Sequence, residues 1–124
     1  GIDISINMLK LAIKTSRNSP NRQRCEVILT DLENLPIRAN AFNCVFSITS
    51  LQNLYDIRKG ILEMIRTSKV GANLNISILK KQLDTERLYS VLRDYCFPLL
   101  IDEEKNIEDL LIKSKVIKSL VEDY

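Results

Sequence analysis

Residues 25–54 read CEVILT-D-LENLP-IRANAF-NCVFSITSLQNL. Two apolar, β-branched-rich runs within them, 27–30 and 44–49, have the length and composition of buried strands. Asp31 and Asn43 sit at the edges of those runs. Between them lie Pro36 and a polar segment too irregular for a long helix. The first strand therefore ends on an acid and passes at once into a loop. In an open parallel sheet, ligands sit outside the carboxyl ends of the strands. Asp31 is thus a candidate acceptor for a ligand's donor group. The plainer reading is an aspartate that caps a turn, and the rest of the chain has to separate the two.

Upstream, residues 1–4 read as the end of a strand, and Ser5 is a good helix N-cap. Behind it Leu9, Ala12 and Ile13 repeat at helical spacing, with Ile6 ahead of them. That helix should stop at the breaker cluster Asn18-Ser19-Pro20. Asp3 then lies at a strand-to-helix junction, beside the positive end of a helix dipole. Downstream, residues 54–69 are expected to be helical, with Leu54, Ile57, Ile61, Met64 and Ile65 on one face. Gly60 in mid-helix costs up to ~1 kcal/mol relative to Ala, which predicts close packing against the sheet there. Gly71 reads as the helix-stop or turn glycine. Leu74, Ile76 and Ile78 alternate with Asn75 and Ser77, a strand with one apolar face.

Asp84 opens a further helix carrying Leu88, Val91, Leu92 and Tyr95. The runs 97–101 and 107–112 are joined so closely that they can only be antiparallel neighbours. Residues 113–124 read as a tail. The order strand, helix, strand, strand, helix, strand, helix, strand, strand points to an α/β sandwich that is parallel for most of its length.

The totals narrow the chemistry. The chain has 124 residues, enough for one domain, with 45% hydrophobic and 27% charged residues. No stretch approaches the ~20 continuous apolar residues of a membrane span. There is no histidine, and the three cysteines form no CxxC. Zinc ligation at the usual spacing is excluded, as are the Ser-His-Asp, Cys-His and HExxH chemistries. Cys25, Cys44 and Cys96 read as small buried residues of a reducing compartment, so a cytoplasmic location is expected. Net charge is +2, with bases gathered in residues 1–24 and 58–81 and acids after 82. These patches suit a phosphate-bearing substrate and solvated helix faces equally well.

Taken together, the motifs resemble those of a class I S-adenosylmethionine-dependent methyltransferase. GIDIS-xx-ML is similar to the family's second strand and turn, and the resemblance implies that Asp3 binds the ribose hydroxyls while Ile4 and Met8 flank the adenine. ILTDLENLP resembles the motif in which an Asp accepts from the adenine amino group and the next residue packs by the base, here Asp31 and Leu32. AFNCVFSITSLQNLYD resembles the fourth strand, with Ser47 toward the cofactor or substrate side, and LEMIRTSKVGANLNIS resembles the family's E-x-x-R-x-x-K-x-G-G helix-turn-strand. Asn43 stands where the family's fourth strand has Asp, and Ala72 where it has a second Gly.

The implied fold is a Rossmann-like three-layer sandwich, mostly parallel and closed by an antiparallel strand pair. The first strand and its glycine-rich loop are expected to lie upstream of Gly1. Residues 1–115 then form the partial methyltransferase domain and 116–124 a C-terminal tail. The implied cofactor is S-adenosyl-L-methionine, with a small molecule, RNA or protein as methyl acceptor. Such a reaction needs little acid-base help, because the sulfonium already activates the methyl carbon. Catalysis can be mainly positioning, and no catalytic base is assigned.

Two other readings stay open on sequence. One is a non-catalytic, methyltransferase-like interaction or scaffold subunit, or a degenerate fragment, whose exposed sheet edge favours pairing with another protein or a second copy. The other is an NAD-binding oxidoreductase, disfavoured by the LP-containing loop after Asp31 and by the antiparallel close.

Overall fold

A computed structural model describes the chain except residues 21–24, 81–83, 105–107 and 121–124. It divides into two compact units, Gly1–Pro36 and Ile37–Tyr124.

The first unit is a β-α-β turn of chain. Strand β1 (Ile2–Asp3) leads into helix α1 (Ile6–Arg17) and returns as β2 (Ile28–Leu29). β1 and β2 pair in parallel, Ile2 opposite Ile28 and Asp3 opposite Leu29. A parallel pair needs a crossover connection, which α1 supplies. Ser5 is the N-cap, its hydroxyl accepting from Met8 N–H at 3.4 Å, and Asn18 is the C-cap. The helix thus starts and stops where the sequence indicates. It buries only Leu9 fully, so Ala12 and Ile6, read as part of the apolar face, are exposed.

The second unit is a four-stranded sheet in the order β3-β4-β6-β5. Strand β3 (Phe42–Ile48) is followed by a short 3-10 turn (Leu51–Asn53), helix α2 (Ile57–Thr67) and β4 (Ser68–Leu79). Helix α3 (Thr85–Tyr95), β5 (Leu100–Asp102) and β6 (Asp109–Lys115) complete it. β3 and β4 are parallel, while β6 runs antiparallel to both β4 and β5. The closing antiparallel pair is therefore present, as is the parallel pairing before it.

α2 and α3 pack on one face of this sheet. Ile61 and Ile65 of α2 and Leu88 and Leu92 of α3 meet Leu74, Ile76 and Ile78 of β4 and Leu110 and Ile112 of β6. All are almost fully buried, each contributing roughly 1.5–3 kcal/mol of apolar burial.

Several local readings need correction. The second helix begins at Ile57, not 54, because Asp56 caps it by accepting from Lys59 N–H at 3.2 Å. Leu54 instead packs over Gly60, where a Cβ would run into the Leu54 side chain and lie 3.3 Å from Leu51 Cδ2. The close approach at Gly60 is thus to this preceding turn rather than to the sheet. The helix also ends without glycine. The Thr67 hydroxyl donates to Glu63 O at 2.9 Å and the Ser68 hydroxyl to Met64 O at 2.7 Å, satisfying carbonyls of the last turn. Gly71 lies inside β4 at φ +87°, its N–H donated to Val116 O at 2.7 Å. Positive φ there is what favours glycine. Residues 113–115, read as the start of a tail, belong to β6, and Val116 is bridged to Cys96. Cys25 and Cys44 are exposed rather than buried, and only Cys96 is a core residue.

Candidate functional site

Two aspartates leave the first unit's parallel strands at the same end. Asp3 is the last residue of β1. The ladder runs on past the paired residues, with Thr30 N–H donated to Asp3 O at 3.0 Å, and Asp31 is the next residue. A strand spacing of about 4.8 Å and a rise of about 3.3 Å per residue put the two roughly 8 Å apart at Cα. That is the scale of a nucleoside.

Each carboxylate is held in the same way. Asp3 Oδ1 accepts from Ser5 N–H at 2.8 Å. Asp31 Oδ1 accepts from Glu33 N–H at 2.9 Å. These are Asx turns, in which the side chain takes the amide two residues on. The sequence signals are the short strings Asp3-Ile4-Ser5 and Asp31-Leu32-Glu33. The turn reading and the ligand reading of these aspartates are therefore compatible. One oxygen of each is tied to the backbone and fixes the side chain. The other has no protein partner among the described residues, and both aspartates are only partly buried.

The apolar residues assigned to the adenine lie in this unit too. Ile4 is exposed at the β1–α1 junction and Met8 is 54% exposed in the first turns of α1. Met8 is thus not a core residue of its helix. Leu32, beside Asp31, is half-buried. Ser47 falls in the second unit. It is buried in β3, in register with Ile76 on the helix-covered side of that sheet.

These donors and acceptors fit the implied cofactor. A ribose diol and an adenine amino group both offer donors, and two anchored carboxylates offer acceptors. Ile4 and Met8 are exposed apolar side chains, of the kind against which a base would be buried by the hydrophobic effect.

The E-x-x-R pair has a structural task. Arg66 donates Nε and Nη2 to Glu63 Oε1 and Oε2 at 2.6 and 2.8 Å, and Nη1 to Ile37 O at 2.8 Å. This bidentate pairing raises the guanidinium pKa, with burial opposing it. It ties α2 to the chain entering β3. Ala72, at the family's second glycine position, is buried in β4.

A family model described as a methyltransferase domain matches residues 1–76. The chain is 42% identical over 71 residues to a demethylmenaquinone methyltransferase of Desulfitobacterium hafniense, covering 57% of this chain and 28% of that protein. It is 31% identical over 100 residues to a ubiquinone/menaquinone biosynthesis C-methyltransferase of Blochmanniella floridana, covering 80% and 39%. Among solved structures, a SAM-dependent methyltransferase from Methanosarcina mazei superposes with a TM-score of 0.72 at 17% identity, covering 95% of this chain and 82% of that one.

The fold is therefore that of a Rossmann-like methyltransferase domain. This chain belongs to the methyltransferase-domain family. It spans well under half the length of the curated relatives it matches.

Proposed function

We propose that the chain supplies the nucleoside-binding half of a methyltransferase that moves the methyl group of S-adenosylmethionine onto a ring carbon of a reduced quinone. The observation that carries the cofactor half is the pair of anchored strand-end carboxylates, Asp3 and Asp31. The names of the two curated relatives support the acceptor class.

In this reading Asp3 accepts from the ribose hydroxyls and Asp31 from the adenine amino group. Ile4, Met8 and Leu32 exclude water from the base. When bound, the cofactor supplies a methyl carbon activated by its sulfonium. That methyl would pass to the acceptor carbon, whose ring proton would leave to solvent, with S-adenosylhomocysteine as the leaving group. The chain's own contribution is position: two rigid acceptors hold the nucleoside so that the methyl is presented in line. A cytoplasmic location suits the exposed free thiols of Cys25 and Cys44. Among the described residues no helix is long and apolar enough to cross a membrane.

The test is incubation with methyl-labelled S-adenosylmethionine and a reduced demethylated naphthoquinone, beside a calorimetric titration with S-adenosylhomocysteine. Label in the quinone fraction supports the whole proposal. Saturable binding without label overturns the acceptor, and absence of binding overturns the cofactor reading.

A further inference from the structure

β3 runs parallel to β4, and the turn that leaves its C-terminal end is held under strain. Thr49 N–H is donated to Ser77 O at 2.9 Å, so the strand ladder reaches this residue. There the backbone takes φ +46°. Asn40, the other non-glycine residue at positive φ among the described residues, is of a type that visits the left-handed region. Thr49 is β-branched, and for such a residue this conformation is an outlier. Its neighbours hold it there. The Ser50 hydroxyl is donated to Ile48 O at 2.9 Å, and Gln52 Nε2 to Thr49 O at 2.7 Å. Leu51, between them, is almost fully buried.

The Gln52 carboxamide is only half satisfied. Its contact with a carbonyl oxygen fixes which end is the nitrogen. The other end, Oε1, is buried and has no partner, alone among the side-chain polar atoms of the described residues. A buried acceptor without a donor is destabilising, and each one in a folded protein calls for a cause. Here it lies three residues from a strained backbone, and strain of this kind gathers where ligands are clamped. The position agrees, because ligands of open α/β sheets sit beyond the carboxyl ends of the parallel strands.

We propose that Gln52 is a specificity-determining residue for the methyl acceptor: the turn at Thr49 shifts, and Gln52 Oε1 accepts a hydrogen bond from a hydroxyl of the reduced ring. This rests on the quinone reading above. Oε1 is out of contact with solvent as the turn stands, so a ligand reaches it only through movement. Leaving positive φ is favourable for Thr49, so one movement relieves both defects. Chemistry then selects the ligand group. An amide oxygen only accepts, so the ligand must bring the donor. The amide is neutral and so is a ring hydroxyl, whereas an ammonium beside it would stay uncompensated. A reduced quinone carries ring hydroxyls, and the oxidised form presents carbonyl oxygens in their place. Against Gln52 the oxidised ring sets acceptor against acceptor. The residue thereby selects the electron-rich form of the ring, the form whose carbon can take a methyl group, and needs no histidine to do so.

The test is an anaerobic calorimetric titration of the protein with a demethylated naphthoquinone in its reduced and oxidised forms, beside S-adenosylhomocysteine, on wild type and Gln52→Leu. Wild type should prefer the reduced form by about tenfold or more. Gln52→Leu should bind both forms alike and keep its affinity for S-adenosylhomocysteine. A second readout needs no variant: in wild type the Gln52 side-chain amide resonances should shift with the reduced ligand and stay in place with the oxidised one. Binding of both forms without preference overturns this inference and leaves the acceptor class standing. So does a preference that survives Gln52→Leu, or amide resonances that ignore the reduced ligand. Loss of S-adenosylhomocysteine affinity in Gln52→Leu, with the preference intact, assigns the donor to the cofactor and overturns it as well. Binding of neither form, with S-adenosylhomocysteine still bound, overturns the acceptor class and this inference with it.

Discussion

The proposed function gives Asp3 two tasks that substitution can separate. One oxygen accepts from Ser5 N–H at 2.8 Å, and the other is available to a ribose. Asp3→Asn retains an amide oxygen for the Ser5 amide and replaces the second acceptor with a donor. Asp3→Ala removes both. A hydrogen bond to a charged group contributes about 1.5–3 kcal/mol, so Asp3→Asn should weaken S-adenosylhomocysteine binding by about 10- to 150-fold. The Ser5 amide should keep its hydrogen-exchange protection. Asp3→Ala should bind as weakly and also lose that protection, at a further cost of about 0.5–1.5 kcal/mol for a neutral-type bond in a partly exposed turn. Calorimetry reads the affinity and amide exchange by NMR reads the turn. Wild-type affinity in Asp3→Asn would refute the ligand role and leave Asp3 as a turn former only.

Three further outcomes follow from the packing. Gly60→Ala should destabilise the second unit by about 1–3 kcal/mol, because the new methyl meets Leu54 and Leu51. Denaturant unfolding followed by circular dichroism measures it. Ile65→Ala, at a fully buried position, should cost about 2–5 kcal/mol by the same assay. Burial pushes the Cys96 thiol from 9.0 to about 11. The neutral thiol is thus favoured in the folded state, and stability present below pH 9 should be lost as pH rises toward 11. At pH 8 an alkylating reagent should modify the exposed Cys25 and Cys44 first and reach Cys96 only on unfolding, as mass spectrometry can show.

Much of this architecture is legible in the chain because local signals agree. Ser5 before the helix, the Asn18 breaker after it, and the alternation of Leu74, Ile76 and Ile78 each specify one element without tertiary help. The errors have physical reasons. Leu54 fits the apolar spacing of α2, yet it serves as a lid over Gly60, and Asp56 caps the helix two residues later. Lys113 and Lys115 disguise the last three residues of β6 as a tail. The inward set Leu110, Ile112, Ser114 and Val116 is buried at strand period, but a serine in the set and lysines between its members weaken the pattern. Gly71 reads as a helix stop because helix-ending glycines are common, whereas here hydroxyls from Thr67 and Ser68 close the helix. The acids at the strand ends could be placed from sequence. The turn-capping reading of Asp31 is also legible and is borne out; what sequence could not separate is a turn former from a ligand acceptor, since both begin from the same residue.

The account's central claim is that anchored carboxylates at adjacent strand ends read the donors of a nucleoside. Its most direct measurement compares S-adenosylhomocysteine with its inosine counterpart, which lacks the amino group, on the wild-type chain and on Asp31→Asn. The account predicts at least a tenfold preference for the adenosine ligand in the wild type, about 1.4 kcal/mol or more, and its disappearance in the variant. Equal affinity for both ligands in the wild-type chain, or a preference that survives Asp31→Asn, would contradict it.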